Sequence, residues 1–211
     1  MPEPELEQAT AREDLCRLLA ACYYEPDSML AEERVFESML AAAAALSAGL
    51  AAGAARLGEA FGAQEVQDLL VDYTRLFLGP PTPLAGPYGS LWLGEGSRMV
   101  DESTLALEEL YREAGFEVDQ DLSEPPDHIA LELEFLYLLT FKCNEAARGG
   151  STEAIAGWTL LRESFLREHL GAWVGRFAQA VKANAASAFY RELADLTARF
   201  VQQEIAQPAG G

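Results

Sequence analysis

The sequence predicts an all-α fold, a single-domain bundle of about eight or nine helices over residues 1–211. Three observations predict it. Alanine, leucine and glutamate dominate and runs of β-branched residues are nearly absent, which favours helix over strand. Apolar residues recur at i, i+3 and i+4 in several windows, whereas no stretch alternates apolar with polar as a half-buried strand does. Half of the 211 residues are apolar, enough for one sizeable core and hardly for two.

Residues 1–10 read as a frayed start. A first helix covers about 8–24: Leu15, Leu18, Leu19 and Cys22 recur near helical spacing, and Pro26 in "YYEPDS" disfavours continuation. Asp27 or Ser28 is placed to cap a second helix running through "MLAAAAALSAGLAAGAA", residues 39–55. That stretch is mostly alanine, carries two glycines and is short for a bilayer, so it reads as helix packing at close approach. A third helix spans about 64–78, where Val66, Leu69, Leu70, Tyr73, Leu76 and Phe77 form one apolar stripe.

The texture then changes. Residues 79–97 hold five Gly and four Pro, so they predict a loop without regular structure. A loop this long inside a compact domain is usually functional, and Tyr88, Leu91, Trp92 and Leu93 are too apolar for a solvated linker. Helix resumes near 101, with Asp101 or Ser103 as candidate cap, and stops near Gly115. After "DQDLSEPPD", residues 128–143 are the most apolar segment. Ile129, Leu131, Leu133, Phe135, Leu136, Leu138, Leu139 and Phe141 face nearly every direction, the mark of a central, buried helix, and Gly149–Gly150 closes it. Residues 152–206 hold two or three more helices, including a short one around Trp173, and 207–211 read as a frayed end.

The formal charge is −19. It argues against nucleic acid, whose phosphates need a cationic face, and against an anionic membrane surface. It would attract a basic partner. Cys16, Cys22 and Cys143 form no CxxC pair and leave an odd thiol, which fits a reducing cytoplasm. The acidic start "MPEPELEQAT" is unlike an export signal.

No enzyme motif survives inspection. There is no phosphate loop, no dinucleotide fingerprint and no nucleophile elbow, so no cofactor is expected. A di-metal carboxylate bundle would need Glu-x-x-His on two helices. Pro125 stands three residues before His128 and Leu166 three before His169, so that alternative, a metal-dependent helical-bundle enzyme, lacks its spacing. Asp127 and His128 are adjacent, and adjacent helical side chains diverge, which makes them a poor catalytic dyad. Asp127 near a helix N-terminus suits the macrodipole, and His128 reads equally as a core-edge histidine. Held rigid by Pro125 and Pro126, the pair suits gripping a peptide more than making bonds.

These residues carry a resemblance. "EPPDHIALELEFLYLL" resembles the E-P-x-D-H signature of the TorD/DmsD family, within the broader group that includes NarJ. Matches continue in order: "CYYEPDS" (22–28), "YTRLFLGP" (73–80), "PYGSLWL" (87–93), "DESTLALEELYREAGF" (101–116), "HLGAWVGRF" (169–177) and "FYRELADL" (189–196). They cover about residues 12–205 and fit TorD/DmsD better than NarJ proper. The resemblance implies an all-α, TorD-like fold, as a monomer or domain-swapped homodimer. It implies a cytoplasmic chaperone that is not an enzyme. Such a chaperone binds the twin-arginine leader and the catalytic subunit of a molybdenum-cofactor oxidoreductase, assists cofactor insertion and prevents premature export. Carried over by motif, its peptide-binding positions are Tyr23, Tyr73, Leu76, Phe77, Pro87, Tyr88, Pro125, Asp127 and His128. Some members bear tryptophan where Tyr73 and Tyr88 stand and glycine where Asp101 stands, which bears on the precursor recognised. Guanine nucleotide is associated with some members; no phosphate cradle is legible here.

Both lines of reasoning lead to one expectation. Tyr73, Phe77, Tyr88 and Trp92 would line a groove for the apolar part of a leader, with loop 79–93 as a wall. Asp127 would pair with a leader arginine, whose fork-shaped guanidinium suits a carboxylate.

Overall fold

The computed structural model describes residues 3–79, 81–93, 97–116 and 124–207, and the side chains of all these except 3 and 97–103. The helices are α1 (Glu3–Ala21), α2 (Met29–Glu32), α3 (Val35–Leu46), α4 (Ala48–Gly62), α5 (Val66–Tyr73), α6 (Ser97–Ala114), α7 (Ile129–Gly149), α8 (Thr152–Glu168), α9 (Leu170–Asn184) and α10 (Ala188–Ala206). Nine of these reach eight residues or more and α2 is a single turn, so the all-α bundle matches expectation. No helix among the described residues is long and apolar enough to cross a membrane.

The all-round apolar segment is central, as its pattern predicts. In α7, Ile129, Leu131, Leu133, Phe135, Leu136 and Leu139 are all buried, and the helix packs on α1, α8 and α9. Past Phe141 its residues turn outward, and Gly150 ends it at φ +70. A second layer forms where α10 packs on α9 and α4 while α3 bridges α1 and α4.

Four local expectations change. Helix α1 begins at Glu3 rather than near residue 8. The Ala-rich run is two helices, not one. Ser47 is extended at φ −163, its Oγ accepts from the Leu50 N–H at 3.3 Å and donates to Gln203 Oε1 at 3.0 Å, so it caps α4 and breaks the run. The helix around Trp173 is not short but runs through Leu170–Asn184. The close approach does hold: a Cβ on Gly53 would lie 3.0 Å from Leu196 Cδ1, so α4 meets α10 at small residues. The candidate caps Asp101 and Ser103 fall inside α6, and their side chains lie outside the described set.

Helix α5 ends in a π-helical turn, Thr74–Leu78, that brings Leu76 and Phe77 inward. Gly79 then turns at φ +81, where a Cβ would lie 2.7 Å from the Thr82 carbonyl carbon. The chain doubles back, with Leu84 and Ala85 N–H groups donating to the Arg75 and Leu76 carbonyls at 3.3 and 2.8 Å.

Candidate functional site

The loop is strapped to the N-terminus of α7. Gly89 N–H donates to the Asp127 carbonyl and Ile129 N–H to the Pro87 carbonyl, each at 2.8 Å, which makes an antiparallel bridge between Tyr88 and His128. The Asp127 carboxylate accepts from the Ser90 N–H at 2.8 Å. His128 is the N-cap of α7, its Nδ1 accepting from the Ala130 N–H at 3.2 Å. Tyr111 donates to the Pro126 carbonyl and Trp92 Nε1 to the Gly86 carbonyl, at 2.8 and 2.9 Å. A Cβ on Gly89 would sit 2.9 Å from Trp173 Nε1, so only glycine lets the strap lie flat there.

This architecture revises the expected groove. Asp127 and His128 are 5% and 2% exposed, because they spend their polar atoms on the strap and the helix cap. Tyr23, Leu76 and Phe77 lie in the core. Phe77 packs its ring against Tyr23, Tyr73, Phe177 and Tyr190 at 5.3–6.3 Å, while Trp92 meets Phe177 at 6.2 Å. Trp92 fixes the strap to the bundle at Phe177, and the Phe77 cluster fills the core instead of lining an open trough. The reason is the α5 stripe itself: residues spaced to face one side face the core first. Pro87 is buried, Tyr88 and Trp92 are half-buried, and Pro125 is exposed.

What lies open is a cluster around Glu124. Tyr88 donates to Glu124 Oε2 at 3.0 Å and Tyr24 to Glu134 Oε1 at 2.9 Å. Tyr24 stacks on the His128 ring at 6.2 Å, and Tyr88 meets that ring edge-on at 5.4 Å. Burial and then the Glu124 charge push the Tyr73 and Tyr88 hydroxyls up to about 12. Burial and the Glu134 charge raise Tyr24 as well. Burial also raises the Glu134 carboxyl and holds His128 below its ordinary value, against the opposing pull of Glu124 and Asp127. Among the described residues no Arg or Lys forms an ion pair with Glu25, Glu124 or Glu134. Tyr24, Tyr88, Glu124 and Glu134 are thus half-buried and Glu25 exposed, with Tyr73 buried beneath them, and none of the three carboxylates has an ion-pair partner among the described residues. Such a set offers oxygen acceptors and ring faces to a guanidinium or ammonium group.

A cavity of about 430 Å³ adjoins this cluster, lined by Glu108, Tyr111, Arg112, Gly115, Phe116, Glu124 and Pro126. No group of three or more His, Cys, Asp or Glu side chains among the described residues is arranged to hold a metal ion.

The sequence reading missed Tyr24, Glu25 and Glu134. A signal was present: extending the Leu15–Leu19 spacing puts Tyr23 on the buried face and turns Tyr24 about 100° away, toward the surface. Burial contrast within "YYE" marks Tyr24 and Glu25 as the available pair.

The comparisons agree with this architecture. Residues 43–179 match the nitrate reductase delta subunit family. The TorD chaperone of Vibrio parahaemolyticus is 30% identical over 68% of this chain and 65% of its own length. The Tat proofreading chaperone DmsD of Salmonella paratyphi A is 32% identical over 64% of this chain and 59% of its own. The chain therefore spans just under two thirds of the curated relatives it matches first. A crystal structure from Archaeoglobus fulgidus, assigned to a redox enzyme maturation protein, superposes with a TM-score of 0.51 at 25% identity, covering 90% of this chain and 93% of that one. A strap, a capped central helix and the ordered motifs along an all-α bundle converge with these matches, and the chain belongs to the nitrate reductase delta subunit family, the group that takes in the TorD and DmsD chaperones.

Proposed function

We propose that the chain is a cytoplasmic chaperone for a molybdenum-cofactor oxidoreductase. In this reading it binds the twin-arginine leader and the apo catalytic subunit, assists cofactor insertion and delays export. One observation carries the reading: the carboxylates of Glu124, Glu134 and Glu25, ringed by Tyr24, Tyr73 and Tyr88, have no internal counterion among the described residues. A leader arginine supplies the missing charge. Its guanidinium donates to the carboxylates as a fork and stacks on the tyrosine faces. The net charge of −19 speeds the encounter, and the partial burial of Tyr24 and Glu134 strengthens the pairing beyond that of a fully exposed pair.

Asp127 and His128 then act by positioning. They hold the strap and start α7, and so place Tyr88 and Glu124 side by side. Calorimetric titration with a twin-arginine leader peptide, against a scrambled peptide of equal charge, tests the reading. It requires preference for the leader and a loss of that preference in Glu124→Gln. Equal binding of both peptides would reduce the chain to a generic acidic scaffold.

A further inference from the structure

Resting on the leader-binding reading, we infer that the apolar stretch of the leader lies in a separate groove between α2, α3 and α4, so that one ligand is held at two points. The chemistry of the two cavities divides the work. Around Glu124, three of the seven lining residues are charged (Glu108, Arg112, Glu124). The second cavity, about 330 Å³, has two charged residues among eleven, Glu37 and Glu59. Its walls include Leu30, Phe36 and Leu40, and its floor includes Ala54 and Phe61. Five of the eleven lining residues are alanine or glycine (Ala31, Ala54, Ala55, Gly58 and Gly62), which leaves room between Phe36 and Leu40. A Cβ on Gly58 would lie 3.2 Å from Phe36 Cβ, so glycine lets the Phe36 ring settle 4.5 Å from Phe61 and leaves the space above open.

Exposed apolar side chains flank this groove. Leu40, in its lining, is 39% exposed, and Met29, beside Leu30, is 53% exposed. Lone exposed apolar residues are ordinary, but two beside an apolar cavity form a patch that asks for a cover.

The rim chooses the cover. Glu37 and Glu59 line the groove and Glu32 and Glu33 are exposed beside it. The two arginines of this region are engaged, Arg34 with Glu37 at 3.5 Å and Arg56 with Glu192 at 2.8 Å. A second copy of this chain, at −19, would be repelled. An apolar segment flanked by basic residues is attracted.

The spacing fits one ligand. Glu25, whose charge acts on Tyr73, and Leu30, in the groove wall, are five residues apart and so lie within about 18 Å. A helix of about twelve residues covers that span, as does an extended segment of about six. One short peptide can therefore reach from the acidic site at Glu25 to the groove wall at Leu30.

The test uses a synthetic peptide bearing two arginines followed by about twelve residues of leucine and alanine, and a twin in which serine replaces that stretch. Leu40→Glu and Ala55→Trp, both at the solvent side of the groove, should each weaken the leucine–alanine peptide about tenfold, the effect of losing one buried apolar side chain. Neither should alter binding of the serine twin, and circular dichroism should match wild type. Wild-type affinity in both variants would overturn the groove while leaving the Glu124 site standing. An equal loss on both peptides would do the same. A concentration-dependent dimer abolished by Leu40→Glu would hand the groove to a second copy and also overturn it. If wild type binds neither peptide, the leader reading and this inference fall together.

Discussion

Two acidic regions of this molecule are built in opposite ways. Between α1, α7, α8 and α10, Glu204 is almost fully buried and is gripped by Arg162, with Arg12 at 3.3 Å; Arg162 also donates to Thr140 at 3.1 Å. Near the start of α7, Glu124 and Glu134 are half-buried, meet only tyrosine hydroxyls and lack a cation among the described residues. A buried carboxylate must be paired to be tolerated, because desolvation costs several kcal/mol per ion. A half-exposed one need not be. The first region supplies its own counterions and so serves the fold. The second does not, and is left able to receive a cation from outside. The location of the arginines, more than that of the glutamates, separates scaffold from site.

The sharpest break in this contrast should come at Arg162. Arg162→Ala leaves Glu204 buried with Arg12 alone, and denaturant unfolding should show a loss of about 3–5 kcal/mol. A loss below about 1 kcal/mol would mean that water reaches Glu204 and that the two regions differ less than drawn.

Asp127 comes next. Asp127→Ala removes the acceptor of the Ser90 N–H and should cost about 1–3 kcal/mol by the same measurement. It should also weaken leader binding, since Tyr88 loses its anchor. Unchanged stability with lost binding would instead give Asp127 direct contact with the ligand.

The acid cluster should respond in the reverse sense. Glu124→Gln combined with Glu134→Gln should leave unfolding free energy within about 0.5 kcal/mol of wild type. Leader affinity should fall about tenfold at low ionic strength, and the difference should shrink as salt is added. A large drop in stability would make the cluster structural.

Glu132 refines the comparison through pH. It is fully buried one turn into α7; Oε1 accepts from Trp173 Nε1 at 3.0 Å and Oε2 has no hydrogen-bond partner among the described residues. Burial raises its carboxyl well above 4.5, so the folded state holds a proton that the unfolded chain releases. That contribution is complete below about 4.5 and is lost as pH rises. His128, held below 6.5 by burial, works in the opposite direction: its contribution is complete above 6.5 and is lost as pH falls. Melting temperature followed from pH 6.5 to 9 should therefore decline less in Glu132→Gln than in wild type. Parallel curves would mean that Glu132 is ionised in the fold. Farthest from the site, Ser47→Ala should cost about 1 kcal/mol through the lost α4 cap and leave peptide binding unchanged.

Much of this was legible in one dimension. The eight apolar side chains from Ile129 to Phe141 announced a central helix, and the five Gly and four Pro of 79–97 announced a loop. The loop holds through 81–93 except for a 3-10 turn at Gly89–Leu91; residues 80 and 94–96 lie outside the described residues and Ser97 already begins α6. Gly115 and Gly150 end helices at φ +70, where the pattern put breaks. Ser47 was harder to read, because a capping serine in an alanine run has the same helical neighbours on both sides. Asp127 and His128 were singled out for the right rigidity, but their partners lie some 37 residues away in the strap, at Ser90, or are consumed by the helix end.

By itself the sequence determined the all-α architecture, the central place of α7 and the acidic character of the surface. Each follows from side-chain type and local periodicity, which do not depend on distant partners. Only the tertiary structure decided which tyrosines face out, which glutamates keep a counterion, and that the strap closes over Trp173 and Phe177 instead of gaping beside them. Those outcomes depend on residues far apart in the chain meeting in space, where desolvation settles which charges are paired inside and which are left for a partner.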